Sequence, residues 1–330
     1  MKKLTIGKLR GLQQIASPDG LFIICAMDHR GSLQRMIDPA HPESVTFEQI
    51  VEFKVELCSA LAKHSTAVLL DPIYGAAQCI SRGVLPGGIG LLVSIESTGY
   101  GGGKENRVTE LLDDWDVGKI KRLGASAVKI LVYYRPDLTE LAQKQQKTVA
   151  AVAKQCIKYD LPFLVETVSY PIKGEIGDAK KLAEAKGQLV VKTAEDMTRL
   201  PIDVLKAEFP GDLRYQKDKA ALELCQRIDQ SSQVPWVLLS GGVDFDTFLR
   251  QVEIACRGGA SGFLGGRAIW QEAMEIKDSA ERVKFLSTVA VDRVKRLAEV
   301  TTKCGVPWYH KLGLAANELA TVSEKWYQEY

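Results

Sequence analysis

Ser126-Ala-Val-Lys-Ile-Leu-Val-Tyr-Tyr134 is apolar at successive positions except for one lysine. A strand with one wet face alternates apolar and polar residues, whereas a strand buried on both faces, as in a parallel sheet, does not. Runs of the same kind recur on either side of it. They fall at residues 21–26, 67–70 and 89–95 before it, and at 163–168, 204–209, 236–239 and 262–264 after it. Amphipathic helical stretches at 47–63, 138–159, 217–230 and 245–257 lie between them. Strand and helix in alternation imply right-handed βαβ units, and eight such units predict one closed (β/α)8 TIM barrel. The barrel is expected to take the whole chain, 1–330, as a single domain with an N-terminal helix and a helical tail from about residue 278. An open doubly wound sheet is the architectural alternative. Its dinucleotide fingerprint is missing, because the first strand is followed by Asp28-His29-Arg30-Gly31 and not by G-x-G-x-x-G.

Composition narrows the function. The chain has 330 residues, 46% of them hydrophobic and 25% charged, enough for a large core. A net charge of +2 gives no basic surface for nucleic acid, and the basic clusters Lys119-Ile-Lys121-Arg122 and Arg293-Val-Lys295-Arg296 read as solvated helix faces. The seven cysteines are scattered without a C-x-x-C pair, the pattern of reduced thiols in a cytosol. Met1-Lys2-Lys3 is basic, but no apolar segment follows it, and no run approaches the ~20 residues that cross a bilayer. A cytoplasmic protein with neither nucleic-acid nor membrane partners is expected. A homo-oligomer is common for such barrels, although no surface patch can be read from the sequence.

In a barrel the chemistry sits at the C-terminal ends of the strands. Three charged residues interrupt otherwise apolar strands: Lys129, Glu166 in Pro162-Phe-Leu-Val-Glu-Thr-Val-Ser169, and Lys206 in Asp203-Val-Leu-Lys-Ala-Glu-Phe209. Buried against helices, each would cost several kcal/mol; pointing into the mouth, on three neighbouring strands, they can converge. The competing reading is a structural ion network. Two lysines beside one carboxylate have a specific use. A neighbouring cation and partial burial favour a neutral amine, which attacks a ketone to form an imine, while the carboxyl moves protons.

Two glycine turns suggest an anion site. The seventh strand ends Leu238-Leu-Ser240-Gly241-Gly242 and the eighth Phe263-Leu-Gly265-Gly266-Arg267. Exposed backbone N–H groups, a following helix N-terminus and Arg267 can grip a phosphate there. Two ordinary βα turns are the plain alternative. After the first strand, Asp28 can bind a substrate hydroxyl or simply cap a helix, and Arg30 can hold a second anionic group. Glu96, Asp71, Arg107 and Glu208 carry less signal: each can line the cleft, brace it or face solvent. Lys173 or Arg214 would be the rim partner of Glu208.

At these residues the sequence resembles the class I tagatose-1,6-bisphosphate aldolase family. The matching stretches are Met27-Asp-His-Arg-Gly-Ser-Leu33, Leu70-Asp-Pro72, Thr98-Gly-Tyr100, Ala127-Val-Lys-Ile-Leu-Val-Tyr-Tyr134, Asp203-Val-Leu-Lys-Ala-Glu208, Leu239-Ser-Gly-Gly-Val243 and Gly265-Gly-Arg-Ala-Ile-Trp270. The resemblance implies a (β/α)8 barrel that cleaves D-tagatose 1,6-bisphosphate to dihydroxyacetone phosphate and D-glyceraldehyde 3-phosphate. It implies Lys206 as the Schiff-base lysine, Glu166 as the acid/base and Lys129 as the supporting cation. Two features depart from the family: His29 stands where glutamine is common, and the segment 210–234 looks shorter. Both bear on substrate choice. The related 6-deoxy-6-sulfofructose-1-phosphate aldolases carry a sulfonate at C6, so His29, Arg30 or Arg107 can be the group that meets either anion. A ketose-bisphosphate aldolase relaxed at C4 is a further option.

Other classes fit less well. A zinc-dependent aldolase needs several histidines with carboxylates; only His29, His41, His64 and His310 exist, in no close pair. No metal and no cofactor beyond the covalent imine are therefore expected. A non-catalytic sugar-phosphate sensor on the same scaffold would have no need of the two lysines and the glutamate. An isomerase or epimerase would form no imine on Lys206.

Overall fold

The computed structural model describes residues 4–175 and 179–330, so Met1-Lys2-Lys3 lies outside the described residues. The eight apolar runs become parallel strands that close in the order β1 to β8. They are β1 (Phe22–Ala26), β2 (Ala67–Leu70), β3 (Gly90–Ser94), β4 (Ala127–Tyr133), β5 (Phe163–Val168), β6 (Val204–Ala207), β7 (Trp236–Leu239) and β8 (Gly262–Gly265). Pairing of Phe22 with Gly262 and of Cys25 with Gly265 shuts the ring between β1 and β8. The expected barrel is therefore the fold. Three strands end elsewhere than expected: β3 stops at Ser94, β6 stops at Ala207, and β8 runs on to Gly265; β1 and β3 each start one residue later.

Side-chain parity explains the unbroken apolar character of the strands. Phe22, Ile24 and Ala26 of β1, Ala127 of β4, Leu164 of β5, Val204 of β6, Val237 of β7 and Leu264 of β8 pack together inside the barrel. Their neighbours Ile23, Cys25, Val128, Val165, Leu205, Leu238 and Phe263 pack outward against the helices. Both parities are dry, so neither admits a polar residue at low cost.

Four helices match the amphipathic stretches: Phe47–Leu61, Thr139–Lys158, Asp218–Ser231 and Phe245–Arg257. The helix Ala179–Thr198 between β5 and β6 was not expected. Its first half is rich in Lys, Ala and Glu and contains Gly187, which weakens the apolar period. Gly187 is where the next helix comes close, since a Cβ there would lie 2.9 Å from the Leu224 side chain. The tail helix is interrupted by a π segment, Leu286–Ala290, where Ser287 and Thr288 donate to carbonyls of the preceding turn. Among the described residues no helix is long and apolar enough to cross a membrane.

The N-terminal face is plugged. Leu9, Leu12 and Ile15 of the helix Ile6–Ile15 sit under the barrel with Trp308 and Tyr309 of the tail. Lys8 Nζ meets Asp203 Oδ2 at 2.6 Å, and the same oxygen accepts the Phe163 N–H at 2.9 Å. One carboxylate thus ties the plug to the starts of β5 and β6.

A second buried pair fixes the other end of β1. Lys54 and Asp71 form an ion pair with both side chains fully buried. Lys54 Nζ also donates to the Met27 carbonyl at 2.6 Å, and Asp71 accepts the Ile73 and Tyr74 N–H groups at 3.0 and 2.8 Å. Asp71 is therefore a brace and not a cleft residue. Lys54→Met strands Asp71 as an unpaired buried charge, which is expected to cost about 3–5 kcal/mol in urea unfolding. The double variant Lys54→Met/Asp71→Asn should recover part of that loss, and equal losses in single and double variants would show the pair to be irrelevant.

Candidate active site

Each charged strand residue lies two positions beyond a barrel-interior apolar residue on its own strand. Lys129 follows Ala127, Glu166 follows Leu164 and Lys206 follows Val204, so all three share the inward parity one level nearer the C-terminal mouth. In-register pairing of Glu166 with Lys206 brings β5 and β6 into contact there. Lys206 Nζ lies 2.8 Å from Glu166 Oε1, and Lys129 Nζ lies 3.0 Å from Glu166 Oε2. The convergence expected from the sequence is present.

Lys129 is the hub. Its ammonium also meets Asp28 Oδ2 at 2.7 Å and Glu96 Oε1 at 2.6 Å. Burial opposes its charge, but Asp28, Glu166 and Glu96 outweigh burial and hold its pKa well above the usual lysine range. Mutual lowering of the two lysines, expected from the sequence, therefore does not occur at Lys129: three carboxylates count for more than one neighbouring cation. The carboxylates respond in kind. Burial raises Asp28, yet Lys129, then Lys206 and His29, hold it well below the usual carboxylate range. Glu166 is likewise held low, burial being outweighed by Lys129 and Lys206.

These groups line a cavity of about 400 Å3 with His29, Arg30, Glu96, Tyr100, Arg107, Tyr133, Glu208, Ser240, Gly241, Gly266 and Arg267. Glu96 was given little weight from sequence, although its place just past the β3 run was the available signal. Asp28 caps no helix; its carboxylate goes to Lys129. Arg30 is half committed: it is 7% exposed, Nη2 donates to the Glu96 carbonyl at 2.7 Å, and Nη1 is buried without a partner. Glu208 accepts the Ser169 N–H at 2.6 Å and pairs with Lys186 at 3.1 Å, so neither Lys173 nor Arg214 is its partner.

The two glycine turns meet at the opposite wall. Gly241 and Gly242 adopt φ of 59° and 78°, the left-handed region where only glycine is unstrained. Ser240 Oγ accepts the Gly266 N–H at 3.3 Å, tying the turns together while leaving its own proton free to donate outward. The Arg267 guanidinium lies 3.0 Å from where a Cβ on Gly242 would stand, and its Nε is buried without a partner. Gly242 thus makes room for Arg267 but does not itself line the cavity.

Two expectations about this wall need correction. Gly265 belongs to β8 with outward parity: a Cβ there would lie 2.6 Å from Ile269 Cδ1 and 3.1 Å from Phe248, so it serves helix packing and faces away from any ligand. The helix Phe245–Arg257 does not offer its N-terminus to an anion, because Asp244 caps it through the Thr247 N–H at 2.9 Å. The segment Arg267–Trp270 is a single turn. The groups left on this wall for an anion are turn N–H groups, the Ser240 hydroxyl and Arg267.

His29 stacks edge-on against Trp270 with ring centroids 5.1 Å apart, and its Nδ1 is buried without a partner. Burial pushes its pKa down to about 3; Asp28 opposes the shift, and Arg267, Lys54 and Lys206 add to it. His29 therefore meets a ligand as a neutral hydrogen-bonding ring and not as a cation. Among the described residues no group of three or more His, Cys, Asp or Glu side chains could hold a metal ion.

The family described as DeoC/LacD family aldolase matches residues 22–272. Tagatose 1,6-diphosphate aldolase of Lactococcus lactis subsp. lactis is 32% identical over 332 residues, covering 94% of this chain and 99% of that protein. Tagatose 1,6-diphosphate aldolase 1 of Enterococcus faecalis is 30% identical over 330 residues, covering 94% and 100%. A solved archaeal fructose-1,6-bisphosphate aldolase, with its catalytic lysine bound to a carbinolamine intermediate, superposes with a TM-score of 0.57 at 21% identity over 86% of this chain and 98% of its own. That likeness speaks for the fold alone.

The His29 shift has a consequence for stability. The unfolded chain takes up a proton near the ordinary pKa of 6.5, whereas the folded protein does so only near 3. The stability tied to the neutral ring is present above 6.5 and lost as pH falls toward 3. His29→Gln should therefore show a shallower loss of urea stability than the parent between about pH 7 and pH 5. Parallel profiles would contradict a buried neutral imidazole.

Proposed function

The chain belongs to the DeoC/LacD family of aldolases, and we propose that it cleaves D-tagatose 1,6-bisphosphate through a Schiff base on Lys206. The observation that carries the choice of lysine is the unequal share of carboxylates. Lys129 faces three and is held as a permanent ammonium, whereas Lys206 faces only Glu166. An amine held as an ammonium by three carboxylates is a poor nucleophile, whereas Lys206 pairs with one carboxylate, Glu166, whose oxygen 2.8 Å away offers a route for proton exchange.

The substrate enters as the open-chain ketose, its C1 phosphate on Ser240, Gly241, Gly266 and Arg267. The Lys206 amine attacks C2, and Glu166 returns the proton to the departing hydroxyl, so that water leaves and a protonated imine remains. The C4 hydroxyl then gives its proton to a carboxylate, Glu166 or Asp28, the C3–C4 bond breaks, and its electrons pass into the imine to give an enamine. D-Glyceraldehyde 3-phosphate departs. Protonation at C3 and addition of water release dihydroxyacetone phosphate and restore Lys206, so the water lost in the first half is regained in the second. Glu166 touches both lysines and is the proton carrier; Asp28, fixed on Lys129, accepts a hydrogen bond from a substrate hydroxyl. Lys129 keeps Glu166 and Asp28 oriented and supplies positive charge beside the new oxyanion. The names of the relatives and the lysine–glutamate geometry support this reading. The 6-deoxy-6-sulfofructose 1-phosphate and C4-relaxed alternatives share every step and differ only in what binds C4 and C6.

The test is borohydride reduction with dihydroxyacetone phosphate in EDTA-containing buffer, followed by peptide mapping. An adduct on Lys206, absent in Lys206→Ala, is expected, with cleavage activity unaffected by EDTA. An adduct on Lys129, or no adduct and activity lost to EDTA, would overturn the assignment. A panel of D-tagatose and D-fructose 1,6-bisphosphates and 6-deoxy-6-sulfofructose 1-phosphate then ranks the substrates. Lys129→Met is expected to lower kcat by about 10²- to 10³-fold, the scale of losing one preorganised charge at an oxyanion. An unchanged rate of adduct formation in that variant would show Lys129 to be structural only.

A further inference from the structure

We infer that Arg107 is the receptor for the substrate's distal oxyanion, the tetrahedral group at C6, and that three tyrosines present it. The inference rests on the Schiff-base reading above, which leaves the far end of the substrate unassigned.

Arg107 stands on the loop that follows β3, and it lines the same cavity as the lysines. Its guanidinium carbon lies 4.5 Å from the Tyr100 ring centroid, 5.3 Å from that of Tyr170 and 5.5 Å from that of Tyr133. The rings brace one another edge-on, Tyr100 to Tyr133 at 5.0 Å and Tyr133 to Tyr170 at 6.5 Å. Aromatic faces hold a guanidinium in place without neutralising it, because a ring quadrupole carries no net charge. Among the described residues Arg107 has no carboxylate within ion-pair distance; Nε donates to the Lys104 carbonyl at 3.1 Å, and the two terminal nitrogens have no partner.

The other buried cations of the mouth face carboxylates. Lys129 and Lys206 are held by Asp28, Glu96 and Glu166, and Arg30 lies 3.8 Å from Glu96 with its Nη1 still unpartnered. Arg135, nearby, is locked by forked pairs to Asp137 and Glu175 and anchors the Tyr170 carbonyl at 2.9 Å. Arg267, Arg107 and Arg35 line the cavity without a carboxylate partner among the described residues, and Arg35 is an exposed residue of the short helix Gly31–Ile37. Arg267 and Arg107 belong to opposite sides of the ring, since β3 and β4 face β7 and β8 across an eight-strand barrel. Lys206 lies between them. Two uncommitted guanidinium forks across an imine-forming lysine match a ketose with an oxyanion at each end.

The loop is built to hold this position. Gly101 and Val108 exchange backbone hydrogen bonds at 2.9 and 3.0 Å, and the Tyr133 backbone is pinned by Thr109 and Gln145. The cage therefore exists before substrate arrives.

The experiment compares three ketoses in the full-length enzyme: D-tagatose 1-phosphate, D-tagatose 1,6-bisphosphate and 6-deoxy-6-sulfofructose 1-phosphate. Arg107→Ala is expected to raise KM for the two substrates with a distal anion by about 10- to 100-fold, the value of a lost charge-assisted bond. Its effect on the 1-phosphate should be at least tenfold smaller, so that the preference for a distal anion collapses. Arg107→Lys keeps the charge without the planar fork and should fall between; it also serves as the readout if the alanine variant folds poorly. A larger penalty for the phosphate than for the sulfonate identifies a phosphate receptor, and the reverse a sulfonate receptor. Equal losses on all three ketoses, or none, would overturn the inference. Failure of the Schiff-base reading is separate, since it appears in the parent enzyme as a missing borohydride adduct.

Discussion

One ammonium group holds the mouth of this barrel together. Lys129, 1% exposed, receives a carboxylate from β1, one from beyond β3 and one from β5. Each partner alone would be costly to bury, and the cluster is tolerable because every charge has an opposite within 3.0 Å. Asp28 and Glu166 are held low, Lys129 is held high, and the second oxygen of Glu166 is left facing Lys206. The proposed division of labour between the two lysines rests on this count. A fold that offered Lys129 one acid fewer would leave its charge, and hence the choice of nucleophile, open.

The supports of the cluster are themselves buried ion pairs. Lys54 holds the Met27 carbonyl immediately before Asp28, and Lys8 ties the foot of β6 through Asp203. Neither reaches the cavity. Their effect is to fix where a strand begins or ends, and so the height at which an inward residue emerges. A catalytic group misplaced by an ångström loses much of its value, so stiffness at these points matters as much as the groups in view.

Much of this was legible in the chain. Charged residues inside doubly buried strands had only one direction to point, so Lys129, Glu166 and Lys206 could be brought together from parity and strand order. Parity also explains Gly265: β8 extends one residue beyond the apolar run, and the position after inward-facing Leu264 faces outward. The Asp244 cap was overlooked because an acidic residue before a helix takes the donors that an anion would need. Glu208 found Lys186 on a helix the periodicity had not revealed. The tyrosine cage was beyond reach for another reason. Its members are Tyr100 and Arg107 in an irregular loop, Tyr133 at a strand end and Tyr170 past the next strand, and no short-range pattern relates them.

The acids held by the lysines sit on or just beyond odd-numbered strands, Asp28 after β1, Glu96 after β3 and Glu166 in β5, while the lysines occupy the even strands β4 and β6; a fourth cavity acid, Glu208, lies just beyond β6 and pairs with Lys186. From β3 to β6 the buried charges therefore alternate in sign from strand to strand, each lysine meeting a carboxylate of its neighbour. The sequence of acids stops at β7, whose cavity residues are Leu239, Ser240 and Gly241. The mouth is thus electrically lopsided, acidic beneath one half and free of acid beneath the other. In the proposed reading an anionic group meets least repulsion on the β7 and β8 side, and a second anion on the same molecule is held off the carboxylates, which would tilt the docked molecule across the barrel axis.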